Sequence, residues 1–194
     1  MKFPVMLVAL FLTLSSASLS RASVTITAVR QGNDVVFTGS GSINLTNLIF
    51  GYTDNVEYPT AAYLQADIPG VILGSGIGDH YNWISENPTN FGPGVGYTVA
   101  AGAYSGNLFG FDYGQLVVPT GYASGSLLSG TATFSNKTFA DMGITPGTYT
   151  WTVPNDSITL NINNAAAVPE PSTCALFCIG LGVFGYARKR MKKV

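Results

Sequence analysis

Two stretches near the end of the chain alternate without a fault. In residues 148–153, Tyr149, Trp151 and Val153 fall on one side and Thr148, Thr150 and Thr152 on the other. In residues 158–163, Ile158, Leu160 and Ile162 face away from Thr159, Asn161 and Asn163. A period of two is that of a β-strand with one face in a core and one in water, whereas a helix needs apolar positions three and four apart. Val24, Ile26 and Ala28 alternate with Thr25 and Thr27 in the same way. Further strand candidates are residues 35–38, 43–50, 70–73, 95–104, 115–118 and 130–134. Turn-forming clusters separate them: Gln31-Gly32-Asn33-Asp34, Pro119-Thr120-Gly121, Pro146-Gly147 and Pro154-Asn155-Asp156. One helical turn is expected at 139–142 with Thr138 as its cap. Residues 54–90 are the least regular and are expected to carry the long loops. About nine or ten short strands with polar alternate faces predict an all-β body, an antiparallel β-sandwich or jelly roll.

The two ends follow different rules. Residues 1–22 read as a secretory signal peptide. Lys2 gives the positive start, residues 5–14 are apolar except for Thr13, and Ser20 and Ala22 occupy the −3 and −1 positions of a small-residue cleavage site. Signal peptidase is therefore expected to cut between Ala22 and Ser23. At the other end, Pro169, Glu170 and Pro171 break any preceding strand, and residues 174–187 carry no charge. Arg188, Lys189, Arg190, Lys192 and Lys193 follow. A helix over about 172–187 would span roughly 24 Å of a hydrocarbon core roughly 30 Å thick, short but sufficient where basic side chains snorkel to the surface. The basic cluster predicts a single pass with the C-terminus in the cytoplasm.

This order of Pro-Glu-Pro, short hydrophobic helix and basic end resembles the PEP-CTERM protein-sorting signal of exopolysaccharide-producing bacteria. The resemblance covers residues 168–194. It implies processing by an exosortase, a membrane protease thought to cut near the Pro-Glu-Pro element, with the helix as a transient or lasting membrane anchor. Three parts are then expected: a signal peptide at 1–22, a β body at 23–167 and a sorting tail at 168–194.

The body carries Arg30 and Lys137 against nine acids, a net charge of −7 that the basic tail hides in the whole-chain value of −1. Two separated cations on an acidic body cannot neutralise a phosphate backbone, so nucleic acid is excluded as a partner. Both cysteines, Cys174 and Cys178, lie in the tail, so the body's stability has to come from its core rather than from disulfides. His80 is the only histidine, which excludes a multi-histidine zinc site and makes a Ser-His-Asp triad depend on that one residue. No metal, cofactor or catalytic set is expected.

The most site-like stretch is Asp79, His80, Tyr81, Asn82 and Trp83. Read as a loop, it offers Trp83 or Tyr81 to stack on a sugar face and Asp79 or Asn82 to bond its hydroxyls. The plainer reading, and the favoured one, is a turn that Trp83 anchors to the core. Asp54 with Glu57 and Asp79 with Glu86 are the nameable carboxylate pairs for glycoside hydrolysis, without a known separation. Trp151 is assigned to the core. The sequence thus predicts an exported, non-enzymatic envelope or extracellular-matrix protein associated with biofilm or exopolysaccharide. Its alternative is a carbohydrate-binding module or weak glycoside hydrolase acting on exopolysaccharide.

Overall fold

The structure, a computed structural model, describes residues 23–54, 61–82, 87–101 and 103–163. The proposed signal peptide, the Pro-Glu-Pro element, the hydrophobic run and the basic end lie outside the described residues. In chain order the strands are β1 (Ser23–Gln31), β2 (Asp34–Gly41), β3 (Ile49–Thr53), β4 (Ala61–Gln65), β5 (Gly70–Leu73), β6 (Gly78–Asn82) and β7 (Thr98–Ala101). They continue with β8 (Tyr104–Gly106), β9 (Phe109–Asp112), β10 (Gln115–Pro119), β11 (Leu128–Phe134), β12 (Gly147–Val153) and β13 (Asp156–Asn163). The described residues are thus all-β, as the alternation predicts. They form two sheets, one of six strands in the order β12-β13-β1-β2-β11-β8 and one of seven in the order β3-β6-β10-β9-β5-β4-β7.

The sheets meet through a shared core. Ile26 and Phe37 of the first sheet belong to the same buried cluster as Leu73, Phe109 and Phe111 of the second. Gly39 on β2 marks a close approach: a Cβ there would stand 2.6 Å from Leu73 Cδ1 and 2.8 Å from Phe109 Cζ, so any larger residue would have to displace those side chains. Trp151 is fully buried, as its place in the alternation predicts. Its ring centroid lies 4.4 Å from that of Phe111 across the layers, and its Nε1–H donates to the Pro88 carbonyl at 2.8 Å. The capped turn also forms where expected: Thr138 Oγ1 accepts from the Asp141 N–H at 3.1 Å, and the Met142 N–H reaches the Thr138 carbonyl at 3.2 Å.

Four expectations are corrected. The sheets are not wholly antiparallel: β1 lies parallel to β13, with Ser23 opposite Ser157 and Val29 opposite Asn163. Residues 43–50 are not one strand, because the chain leaves the first sheet after β2 and joins the second at β3. The turn between bends at Asn47 (φ 68°), and the Leu48 N–H closes on the Leu45 carbonyl at 3.1 Å. Residues 95–104 divide for the same reason, since β7 and β8 belong to different sheets. Finally, residues 54–90 hold more strand than expected: besides β5, which matches the candidate at 70–73, they contain β4 and β6. Side chains on both faces of β5 are buried, so it is legible as a short apolar run at 70–73 rather than as an alternation. At β6, polar composition hides the strand.

Truncating Trp151 to alanine removes the ring that joins the layers and its hydrogen bond. The expected cost is about 3–5 kcal/mol, read as a lower urea midpoint. A loss below about 1 kcal/mol would mean that the layers do not depend on this contact.

Candidate functional site

The stretch singled out in the sequence is not a loop. Asp79, His80, Tyr81 and Asn82 lie on β6, paired on one side with β3 and on the other with β10. Trp83 lies outside the described residues, as do Glu57 and Glu86 of the two carboxylate pairs. Because successive strand side chains point to opposite faces, the four residues divide into two pairs. Tyr81 packs on the main core, edge-on to Phe50 at 5.6 Å. Asp79, on the same side, accepts from Thr53 Oγ1 at 2.6 Å and from the Gly121 N–H at 2.9 Å. It therefore ties β3 to the turn after β10. His80 and Asn82 face outward, so the four cannot act together on one ligand.

The outward side carries a polar network that the sequence spreads over more than sixty residues. His80 is 4 % exposed. Its Nε2 sits 3.1 Å from Asp54 Oδ1 and 3.2 Å from Oδ2, and its Nδ1 lies 3.3 Å from Gln115 Oε1. The Tyr52 ring stacks on the imidazole, with centroids 4.3 Å apart and planes within 11°. Gln115 Nε2 donates to Asn82 Oδ1 at 3.2 Å. Asp54, Tyr52 and Gln115 carry no spacing signal that would connect them to His80; register alone does so, by placing Tyr52 opposite His80 and Gln115 opposite Asn82. Beside this network, Tyr63, Ile72, His80, Leu108 and Val117 line a crevice of about 150 Å³ with no room for a water molecule. It is packing space, too narrow to be a substrate pocket. Among the described residues, no three His, Cys, Asp or Glu side chains gather to hold a metal. No helix among them is long and apolar enough to cross a membrane.

Comparison with known proteins bears on the tail. Residues 167–191 match the family model of the PEP-CTERM protein-sorting motif. The match covers Pro169, Glu170 and Pro171, the hydrophobic run and Arg188, Lys189 and Arg190. The resemblance read from the sequence therefore holds for this segment, and the motif implies an exported protein processed by an exosortase. No curated protein and no solved structure matches the chain.

One acid on the outward side sits in an unfavourable place for charge. Asp112, at the end of β9, is 7 % exposed. Its Oδ2 accepts from the Tyr63 hydroxyl at 2.9 Å, while its Oδ1 is buried without a hydrogen-bond partner. Burial raises its carboxyl above the ordinary value of 3.8, with the Tyr63 hydrogen bond and the His80 ring pulling the other way. An acid whose value is raised by folding favours the folded state most when protonated, so its contribution is complete below 3.8 and lost as pH rises through the raised value. Asp112→Asn keeps an acceptor for Tyr63 and removes the titration. The unfolding free energy of the variant minus that of the wild type is expected to grow as pH rises from below 3.8, measured by urea denaturation at stepped pH. Two curves that stay parallel would contradict this account.

Proposed function

We propose that this chain is an exported, non-enzymatic protein of the cell envelope or extracellular matrix, associated with exopolysaccharide and directed there by its C-terminal signal. The observation that carries this reading is the sorting motif at residues 167–191. In this proposal signal peptidase removes residues 1–22. The helix about 172–187 holds the chain in the membrane with its basic end in the cytoplasm, and exosortase acts near Pro169, Glu170 and Pro171. The non-enzymatic part is supported by how the reactive side chains are used. His80 lies between Asp54 and Gln115 beneath Tyr52, and Asp79 joins Thr53 to Gly121.

A second reading, carbohydrate binding by the β body, is favoured by tyrosines on the outward side of the seven-stranded sheet. Tyr52, Tyr97 and Tyr113 are each about half exposed, at 48 %, 53 % and 54 %. A ring half in water and half on protein is a ready platform for an amphipathic ligand.

The intact mass of the protein from the native host's membrane and medium fractions tests the sorting proposal. The expected mass is that of a chain running from Ser23 to within residues 169–173, with or without an added group. A mass that retains residues 174–194 in every fraction would overturn processing and make the protein a lasting membrane protein.

A further inference from the structure

The turn between β9 and β10 breaks a conformational rule. Tyr113 and Gly114 both have positive φ, 48° and 73°, the pattern of a two-residue hairpin turn that favours Asn-Gly or Asp-Gly. A bulky aromatic residue in the left-handed region is strained, and such strain persists where the side chain is needed. Here the Tyr113 ring stands half exposed beside a second tyrosine. Tyr97 Oη donates to Tyr113 Oη at 3.2 Å, and Tyr113 Oη donates to Gln65 Oε1 at 3.4 Å. Gln65 is itself 5 % exposed, and its Nε2 donates to Asp67 Oδ1 at 3.1 Å. Asp67 in turn lines an open depression of about 440 Å³ with Asn90, Gly92, Pro93 and Thr145.

We infer that the arc from Tyr97 and Tyr113 through Gln65 to Asp67 and this depression is a binding site for a neutral saccharide chain. Two exposed rings offer faces to the C–H side of a sugar, and Val99, 51 % exposed on neighbouring β7, extends the apolar flank. Asp67, Asn90 and Thr145 offer acceptors and donors to its hydroxyls. The two tyrosine hydrogen bonds are long for O–H···O contacts, which centre near 2.7–2.8 Å, so a ligand hydroxyl can replace either at little loss. The depression falls in the size range of small-molecule sites, roughly 300–1,000 Å³. Charge selects the class of polymer: Asp67 is the one charged residue of the arc, and the body's nine acids against two bases repel an anionic chain. This site is separate from the β6 stretch. It depends on the proposed surface location only for access to such a polymer.

Affinity electrophoresis of the full chain, kept in mild detergent, tests the site with three probes cast into native gels: hydroxyethylcellulose, galactomannan and alginate. Retardation is expected in at least one of the two neutral gels and not in alginate. Tyr113→Gly removes the ring and its bond to the buried Gln65 but relieves the positive φ, so the two effects oppose each other and its unfolding midpoint should stay near that of the wild type while retardation weakens at least tenfold. Tyr97→Ala should weaken retardation likewise, and it decides the question if Tyr113→Gly fails to fold. No retardation in either neutral gel overturns the site. So does retardation in alginate alone, or retardation that both variants leave unchanged. A protein that the mass measurement finds sorted, yet that no neutral gel slows, refutes this site and leaves the sorting proposal standing.

Discussion

The pairing of β1 with β13 is the contact on which the rest of the body leans. It joins the first and last strands over seven residue pairs, Ser23↔Ser157 to Val29↔Asn163, and so closes the six-stranded sheet around everything between. The contact is wholly non-local, and its loop-closure entropy is recovered only once the intervening strands are in place. Val24, Ile26 and Ala28 from β1 and Ile158, Leu160 and Ile162 from β13 enter the core from this seam. Without disulfides in the body, burial of this kind is what stabilises it.

The two sheets handle their outer faces differently. On the six-stranded sheet short, uncharged outward residues pair across strands: Thr148 bonds Asn161 at 2.9 Å, Thr150 meets Thr159 at 3.2 Å, and Ser105 meets Thr131 at 2.8 Å. Such cross-strand hydroxyl pairs contribute modestly each and leave the face wet. On the seven-stranded sheet the outward residues are large and partly buried, and its polar groups are tied into networks. Tyr63, Ile72, Leu108 and Val117 form a second apolar cluster there, with His80, Gln65 and Asp112 buried around it. Buried polar groups of this kind are costly unless paired, which is why Asp54, Gln115, Tyr63 and Tyr113 all converge on them.

How much of this the sequence reveals follows from which faces are wet. The strands β1, β12 and β13 each have one wet face, so their alternation survives in the sequence and places Trp151 in the core. In β9, Phe109, Gly110, Phe111 and Asp112 are all buried, and a strand covered on both faces leaves no period to read. Gly110 obscures it further, at φ 150° with Val71 O where a Cβ would stand. The β6 stretch misleads in the opposite sense, since Asp79 and His80 look like loop residues until Thr53, Gly121, Asp54 and Gln115 supply their partners. The sorting tail is legible without any fold because its signal is linear, three chemical blocks in a fixed order. The tyrosine arc is not: Gln65, Tyr97 and Tyr113 are brought together only by strand register and a strained turn.

The parallel seam also bears on how such a chain could be processed. Because β1 and β13 run the same way, Ser23 and Asn163 lie at opposite ends of their paired strands. A leader before Ser23 and a tail after Asn163 would therefore leave the body from opposite ends, and cutting one need not disturb the other. Five residues, 164–168, separate the end of β13 from Pro169, an extended reach of at most about 20 Å. β13 itself ends before that element and is paired on both sides, with β12 and with β1. A cut near Pro169 would fall beyond the end of β13, so the residues removed would include none of the closing pair or of the core it seals.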